Sequence, residues 1–226
     1  MRPDLVVLIP AGGLGTRLGR RTPKQFLRLG GVPILTVTAG HFTAHPAVKA
    51  LVVAAPAAHV ERTRRLVARL ARRRPVIVVP GGATRQESVW RALQHAPVAE
   101  IVVVHDAVRP FIDRRLIDAV VEAAAETGAA ICALPINETV KRAREGLVQA
   151  TLDRSELWAV QTPQAFCAAL LREAHEKALR DGVAATDDAM LIERLGHPVR
   201  VVPGLPDNIK ITTGADLHRA RVWRRP

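Results

Sequence analysis

The feature that most constrains this fold is a regular alternation of short apolar runs with longer amphipathic stretches. Leu5–Ile9, Ala50–Ala54, Val76–Val79, Ile101–His105 and Ala130–Leu134 are the apolar runs. They are continuous rather than alternating, as expected of strands buried on both faces. Helices are predicted between them at Pro33–Ala44, with proline in the first turn, and at His59–Arg73. Two more are predicted at Thr84–His95, behind Gly81-Gly82, and at Arg114–Glu126, closed by Gly128. Strand and helix in succession imply an α/β fold, a mostly parallel sheet with helices on both faces. In such a sheet ligands gather beyond the carboxyl ends of the strands.

The rhythm changes after residue 135. Thr139–Arg142 and Leu147–Thr151, around Glu145-Gly146, read as a hairpin projecting from the sheet. This β-arm, at about 137–156, has too little apolar surface to build a core, and a second subunit is its expected partner. Ala165–Asp181 and Asp187–Leu195 read as helices, Val199–Val202 and Ile209–Thr212 as strands, and Ala215–Trp223 as a closing helix. With no repeat, linker or low-complexity tail, residues 1–226 are expected to form a single domain, with no second catalytic domain after Pro226.

The formal charge of +12 suits a nucleic-acid binder or an enzyme of polyanionic substrates. Arg62, Arg65, Arg69 and Arg72 recur opposite Val60, Val67, Leu70 and Ala71, as the outer face of an amphipathic helix would. The chain has four Phe, three Trp and no Tyr, and none interleaves with the basic run, so the stacking platforms of single-strand binders are missing. A basic nucleic-acid-binding protein is therefore the weaker alternative from another class. Cys132 and Cys167 lack metal-type spacing, and Cys132 lies in an apolar run as a core residue would. The absence of a disulfide framework, a signal peptide and a membrane-length apolar run leads to the expectation of a cytoplasmic protein.

Polar residues cluster where the strands should end. After the first strand Pro10-Ala11-Gly12-Gly13 and Gly15 make a loop whose amides can approach phosphate oxygens, followed by the cations Arg17 and Lys24. This is neither a Walker A loop nor a dinucleotide fingerprint, because no Gly-Lys-Ser/Thr closes it and the third glycine is missing. After the third strand come Gly81, Gly82, Arg85 and Ser88, and after the fourth His105 and Asp106. Asp106 is a strand-tip carboxylate able to meet ribose hydroxyls or a divalent cation. His105 is expected to be bonded within the scaffold rather than to act as a base. Thr139, Arg154, Thr162 and Lys210 follow in the second half. Arg17, Lys24, Arg154 and Lys210 together offer four cations for two phosphorylated substrates, a chemistry that needs positioning and charge more than a nucleophilic side chain.

The motifs P-A-G-G-L-G-T-R-L-G, T-P-K-Q-F, G-G-A-T-R-Q-E-S-V, H-D-A-V-R-P, E-T-V-K-R, T-L-D-R-S-E-L-W, Q-T-P-Q-A-F, A-T-D-D and D-N-I-K-I-T occur in that order along the chain. Together they resemble the 2-C-methyl-D-erythritol 4-phosphate cytidylyltransferases of the non-mevalonate isoprenoid pathway, over roughly the whole chain. The resemblance implies a Rossmann-like nucleotidyltransferase fold and a homodimer with interlocking arms. It implies CTP and a sugar-alcohol phosphate as substrates, with Mg²⁺ or another divalent cation held mainly by the CTP phosphates and Asp106 a candidate ligand. By the same resemblance the backbone of Pro10, Ala11, Gly12 and Gly13 lines the nucleotide. Gly82 and Ser88 meet cytosine, supported by Arg85, while Asp106 and Ala107 face the ribose and diphosphate. Arg17 and Lys24 stabilise charge at the α-phosphorus. Arg154 and Lys210 position the methylerythritol phosphate, with Asp106, Thr139 and Thr162 nearby, Thr139 and Arg154 serving a partner's site. Departures from the family pattern are Gly12 for a frequent alanine, Ala83 for a frequent acidic residue and Asp188 for a frequent glutamate. Ribitol 5-phosphate cytidylyltransferases share the glycine loop, H-D-A-V-R-P, Q-T-P-Q and N-I-K and are the alternative. Thr139-Val140-Lys141 and the stretch from Asp153-Arg154 to Leu157-Trp158 favour the methylerythritol enzyme.

Overall fold

The computed structural model of the chain describes residues 3–13 and 22–223. Its centre is a seven-stranded sheet. In chain order the strands are β1 (Leu5–Pro10), β4 (Val48–Ala55), β5 (Val76–Pro80), β6 (Ile101–Val104), β7 (Ala129–Pro135), β10 (Trp158–Cys167) and β11 (Arg200–Pro203). Their spatial order is β11-β7-β10-β6-β1-β4-β5. β10 runs antiparallel to both neighbours, β6 and β7, and every other pairing in this sheet is parallel. A two-strand hairpin, β2 (Arg28–Leu29) with β3 (Val32–Pro33), precedes the first helix.

The helices are α1 (Ile34–Thr43), α2 (Val60–Val67), α3 (Arg85–Gln94), α4 (Arg114–Thr127), α5 (Ala168–Arg180), α6 (Asp188–Glu193) and α7 (Gly214–Trp223). They cover both sheet faces, and β1 shows why. Leu5, Val7 and Ile9 pack with Leu35, Ala39 and Phe42 of α1 and with Leu116, Ile117 and Val120 of α4. Val6 and Leu8 pack on the other side with Val89 and Leu93 of α3 and with Leu171 and Ala174 of α5. Every side chain from Leu5 to Ile9 is fully buried. Each such burial stabilises the fold by roughly 1.5–3 kcal/mol, which favours a central place for this strand. Cys132 is also a core residue; burial pushes its thiol up to about 12. At the far end of α4, Gly128 adopts φ 86° and its amide closes the helix on Ala124 O, 2.8 Å. A side chain there would be strained, so the predicted stop depends on glycine.

Three sequence expectations need correction. Ala165–Cys167, read as the start of a helix, belong to β10, and α5 begins only at Ala168. The run from Gln161 to Phe166 is buried between β6 and β7, where backbone donors and acceptors need ladder partners, and that requirement overrides local preference. His59–Arg73 is not one helix. α2 buries only Thr63 and Val67, and beyond it the chain tightens into a 3₁₀ turn at Leu70–Arg72, with Ala71 exposed. Ile209–Thr212 is not a strand: Ile211 N donates to Val108 O (3.0 Å), and Ile211 sits in a small cluster with Val108 and Leu217.

Candidate active site

Because β1, β4, β5 and β6 are parallel, their carboxyl ends share one edge. A cleft of about 730 Å³ opens there. Pro10, Ala11, Gly12 and Gly13 form one wall and Gly81 to Arg85 with Ser88 another, and Asp106, Ala107, Lys24 and Lys210 are among the other lining residues. Ala11 N donates to Ala54 O (2.8 Å), and the buried Gln25 donates from Nε2 to Ala11 O (2.6 Å), so the first loop is tied at both backbone groups. Gln25 follows Lys24 in a 3₁₀ turn and thereby fixes the lysine's stem beside Gly13. Arg17 lies outside the described residues.

The second wall is a capped helix start. Thr84 is the N-cap of α3 and accepts from Glu87 N (3.0 Å), while Glu87 Oε2 accepts from Ala83 N (2.7 Å). Ser88 Oγ donates to Thr84 O (2.8 Å) and accepts from Gly82 N (3.1 Å). The Ser88 hydroxyl is thus committed to shaping the Gly82 turn, and its side chain is buried. Gly82 is required by close approach. A Cβ there would overlap Cγ and Cδ of Glu87 and stand 2.5 Å from its Cβ.

Asp106 is the electrostatic centre. Its Oδ1 accepts from Arg85 Nε (3.2 Å), and its Oδ2 pairs with Lys210 Nζ at 2.8 Å and Arg109 Nε at 3.5 Å. Burial alone would push the carboxyl up, but Arg85, Lys210 and Arg109 outweigh it and hold Asp106 well below the usual carboxylate range. It is a fixed anion among cations. His105 is fully buried, and burial pushes its imidazole down to about 4. Thr162 Oγ1 accepts from Asp106 N (3.0 Å) and lies 3.1 Å from His105 Nδ1, and His105 Nε2 lies 3.0 Å from Arg109 O. Since the carbonyl can only accept, Nε2 carries the proton and Nδ1 accepts from the threonine. His105 is neutral scaffold, as expected, and Thr162 is buried directly behind Asp106.

Two distant motifs meet to carry Lys210. Gln161 bridges Leu205, donating to its carbonyl (2.9 Å) and accepting from its amide (3.2 Å). Asn208 Nδ2 donates to Thr162 O (2.8 Å), and Arg109 Nη1 donates to Asn208 O (2.6 Å). Sequence reasoning assigns no role to Gln161, Asn208 or Arg109, although each lies in a quoted motif. Arg109 follows β6 closely, but Gln161 lies within β10 and Asn208 in the loop before α7, so what they do depends on long-range contact.

Thr139 and Arg154 are not among the residues lining this cleft. They flank the projecting hairpin, β8 (Val140–Arg144) and β9 (Leu147–Leu152). Arg154 is exposed and donates to Asn137 O, at the base of the arm. The hairpin buries none of its own side chains, and Leu147 and Val148 are 74% and 63% exposed.

Residues 5–225 match the family model for 2-C-methyl-D-erythritol 4-phosphate cytidylyltransferase. The chain belongs to this family. A relative of that name from Symbiobacterium thermophilum is 46% identical over 218 residues, 96% of this chain and 91% of the relative. The solved structure of 2-C-methyl-D-erythritol 4-phosphate cytidylyltransferase from Thermus thermophilus is 37% identical, covers 100% of both chains and superposes with a TM-score of 0.81. The 4-diphosphocytidyl-2C-methyl-D-erythritol synthase structure from Anaerococcus prevotii is 27% identical, covers 99% of each chain and gives a TM-score of 0.86. The expected Rossmann-like nucleotidyltransferase fold is therefore the fold of this chain.

The donor set bears on the divalent cation that the resemblance implies. No group of three or more His, Cys, Asp or Glu side chains among the described residues could hold an ion. Asp106, the carboxylate among the residues that line the cleft, already has both oxygens in ion pairs. Such a site fits a hard cation bound chiefly through substrate phosphates, as Mg²⁺ commonly is, rather than a protein cage.

Proposed function

We propose that this chain, as a member of the cytidylyltransferase family, transfers the cytidylyl group of CTP to 2-C-methyl-D-erythritol 4-phosphate, giving 4-diphosphocytidyl-2-C-methyl-D-erythritol and pyrophosphate. The observation that carries this reading is the extent of the family match, residues 5–225, which includes every loop of the strand-end cleft. The same match favours methylerythritol phosphate over ribitol 5-phosphate.

In the proposed reaction a phosphate oxygen of the acceptor forms a bond to the α-phosphorus of CTP, and the bond from that phosphorus to the bridging oxygen of pyrophosphate breaks. The acceptor phosphate is already anionic near neutral pH, so no strong base is needed, in keeping with a neutral buried His105. The backbone of Ala11, Gly12 and Gly13 lines the nucleotide, with the amides of Gly12 and Gly13 towards the triphosphate, and the Gly82–Ser88 turn faces cytosine. Asp106 and Ala107 face the ribose and diphosphate. Lys24, with Arg17, meets the charge that develops at the α-phosphorus. Lys210 and Arg154 hold the acceptor phosphate, while Thr139 and Thr162 complete its surroundings, Thr162 by fixing Asp106. A divalent cation carried by the triphosphate, with Asp106 as its candidate protein ligand, supplies charge neutralisation when bound.

Residues 1–226 form one nucleotidyltransferase domain with a dimerisation arm at about 137–156, and the active unit is a homodimer working in the cytoplasm. What supports the dimer is the arm's lack of a core and the separation of Thr139 and Arg154 from the cleft of their own chain. None of the helices among the described residues is long and apolar enough to cross a membrane. The deciding experiment is pyrophosphate release from CTP with each of the two sugar-alcohol phosphates in turn. Release with methylerythritol phosphate is expected; release confined to ribitol 5-phosphate would overturn the reading.

A further inference from the structure

The nucleotide site continues beneath its floor. Arg85, in the first turn of α3, extends its guanidinium between two carboxylates on different elements: Nε reaches Asp106 Oδ1 (3.2 Å) and Nη1 donates to Asp188 Oδ2 (2.7 Å). Asp188, the first residue of α6, is 1% exposed and lies outside the residues that line the cleft. Its other oxygen lies 3.1 Å from Nε2 of the buried His175 on α5. The His175 ring stacks on Trp90 of α3, centroids 5.9 Å apart and planes 14° apart. The preceding residue, Asp187, caps α6 through Met190 N (3.1 Å) and accepts from Gln164 Nε2 of β10 (2.8 Å). Asp188 is therefore held by Arg85 of α3 and His175 of α5, and the start of α6 is tied to β10 through Asp187.

We infer that Asp188 is a positioning residue for the nucleotide: by anchoring one side of the Arg85 guanidinium it fixes the Asp106 carboxylate in the orientation that leaves its second oxygen to Lys210. This deepens the cytidylyltransferase reading and rests on it. A buried carboxylate contributes little net stability, because desolvation offsets most of the attraction, so packing alone does not account for a charge at this place. The guanidinium is planar with its donors in a fixed fork, so a contact on one side constrains the other. Without the Asp188 charge, Arg85 is free to close on Asp106 with two donors or to swing towards the cleft, and in either case the Asp106–Lys210 pair is disturbed. Simple electrostatics predicts the opposite sign. Removing a buried negative charge makes the floor more cationic and should tighten binding of a triphosphate.

The test measures CTP affinity by calorimetry with Mg²⁺ and no acceptor, beside the KM of methylerythritol phosphate. In Asp188→Asn, which keeps shape and loses charge, the Kd for CTP is expected to rise roughly tenfold, a coupling typical of groups in one network, and the acceptor KM to rise with it, because the disturbed Lys210 also holds the acceptor phosphate. Adding Asp106→Asn should weaken binding no further than Asp106→Asn does alone. Unchanged or tighter CTP binding by folded Asp188→Asn, or additive effects in the cycle, would overturn the inference. Arg85→Lys carries the test if Asp188→Asn does not fold. A lysine keeps the charge but offers one nitrogen where the guanidinium sets two in a fixed fork, so the same loss of CTP affinity is expected, and wild-type affinity would overturn the bridge. A wild-type protein that binds no CTP would overturn the underlying reading, and the inference with it.

Discussion

Gly82→Ala tests whether the second wall of the cleft is rigid. A Cβ at Gly82 would stand 2.5 Å from Glu87 Cβ, against the 3.4–4 Å of ordinary contact, so about 1 Å must be found. The far end of Glu87 can rotate, but its Cβ is fixed by the first turn of α3. The loop therefore has to move. Moving it strains the bond from Gly82 N to Ser88 Oγ (3.1 Å), and turning Glu87 aside breaks the bond from Ala83 N (2.7 Å). Losing one cap-type bond and weakening a second costs roughly 1–2 kcal/mol. For a chain of this length that is a fall in Tm of about 2–8 °C. The larger effect should be on activity, since a displacement of about 1 Å in a positioning loop costs on the order of 10²-fold in rate. Calorimetry and kcat/KM for CTP in a pyrophosphate-release assay measure both. Glu87→Ala should not rescue the variant, because alanine retains the offending Cβ. A Gly82→Ala enzyme indistinguishable from wild type, or full rescue by Glu87→Ala, would refute the reasoning.

Lys24→Ala and Arg17→Ala are each expected to lower turnover by about 10²–10³ with much smaller effects on substrate binding, as loss of a transition-state donor does. Wild-type-like kcat in both would remove them from the mechanism. Co-refolding Arg154→Ala with Lys24→Ala should restore up to about a quarter of wild-type activity, because half of the randomly formed dimers regain one intact site. A mixture that stays inactive despite proven subunit exchange argues that Arg154 serves its own chain. His105 is neutral in both folded and unfolded chains above its ordinary value of 6.5, and its folded value is held at about 4. Stability present above that ordinary value should therefore fall as pH drops through the window between the two, by roughly 3 kcal/mol from this group. Urea unfolding across that window should show a shallower dependence for His105→Gln, and parallel curves would refute the assignment.

The amino-acid sequence by itself determined the alternation of strands and helices and the position of the chemistry. Runs such as Leu5–Ile9 are apolar at every position, and only a strand covered on both faces buries them all. The glycines, Arg85 and Asp106 follow such runs closely, so parallel strands bring them to one edge; Lys210 reaches it only through long-range contacts, and Arg154 does not line it. The tertiary structure decided what local pattern could not. Trp158–Cys167 mixes polar and apolar residues around a proline and has no clean period. It becomes the antiparallel strand inside the sheet because β6 and β7 offer it ladders on both sides. Long-range contact also decided which polar residues are scaffold. Thr162 and His105 are 57 residues apart in sequence, yet one hydrogen bond between them supports Asp106. Arg85 and Asp188 are 103 apart, and no spacing rule links them. Local pattern reports what a residue can bond to; only the folded chain, by excluding water around it, determines what it must bond to.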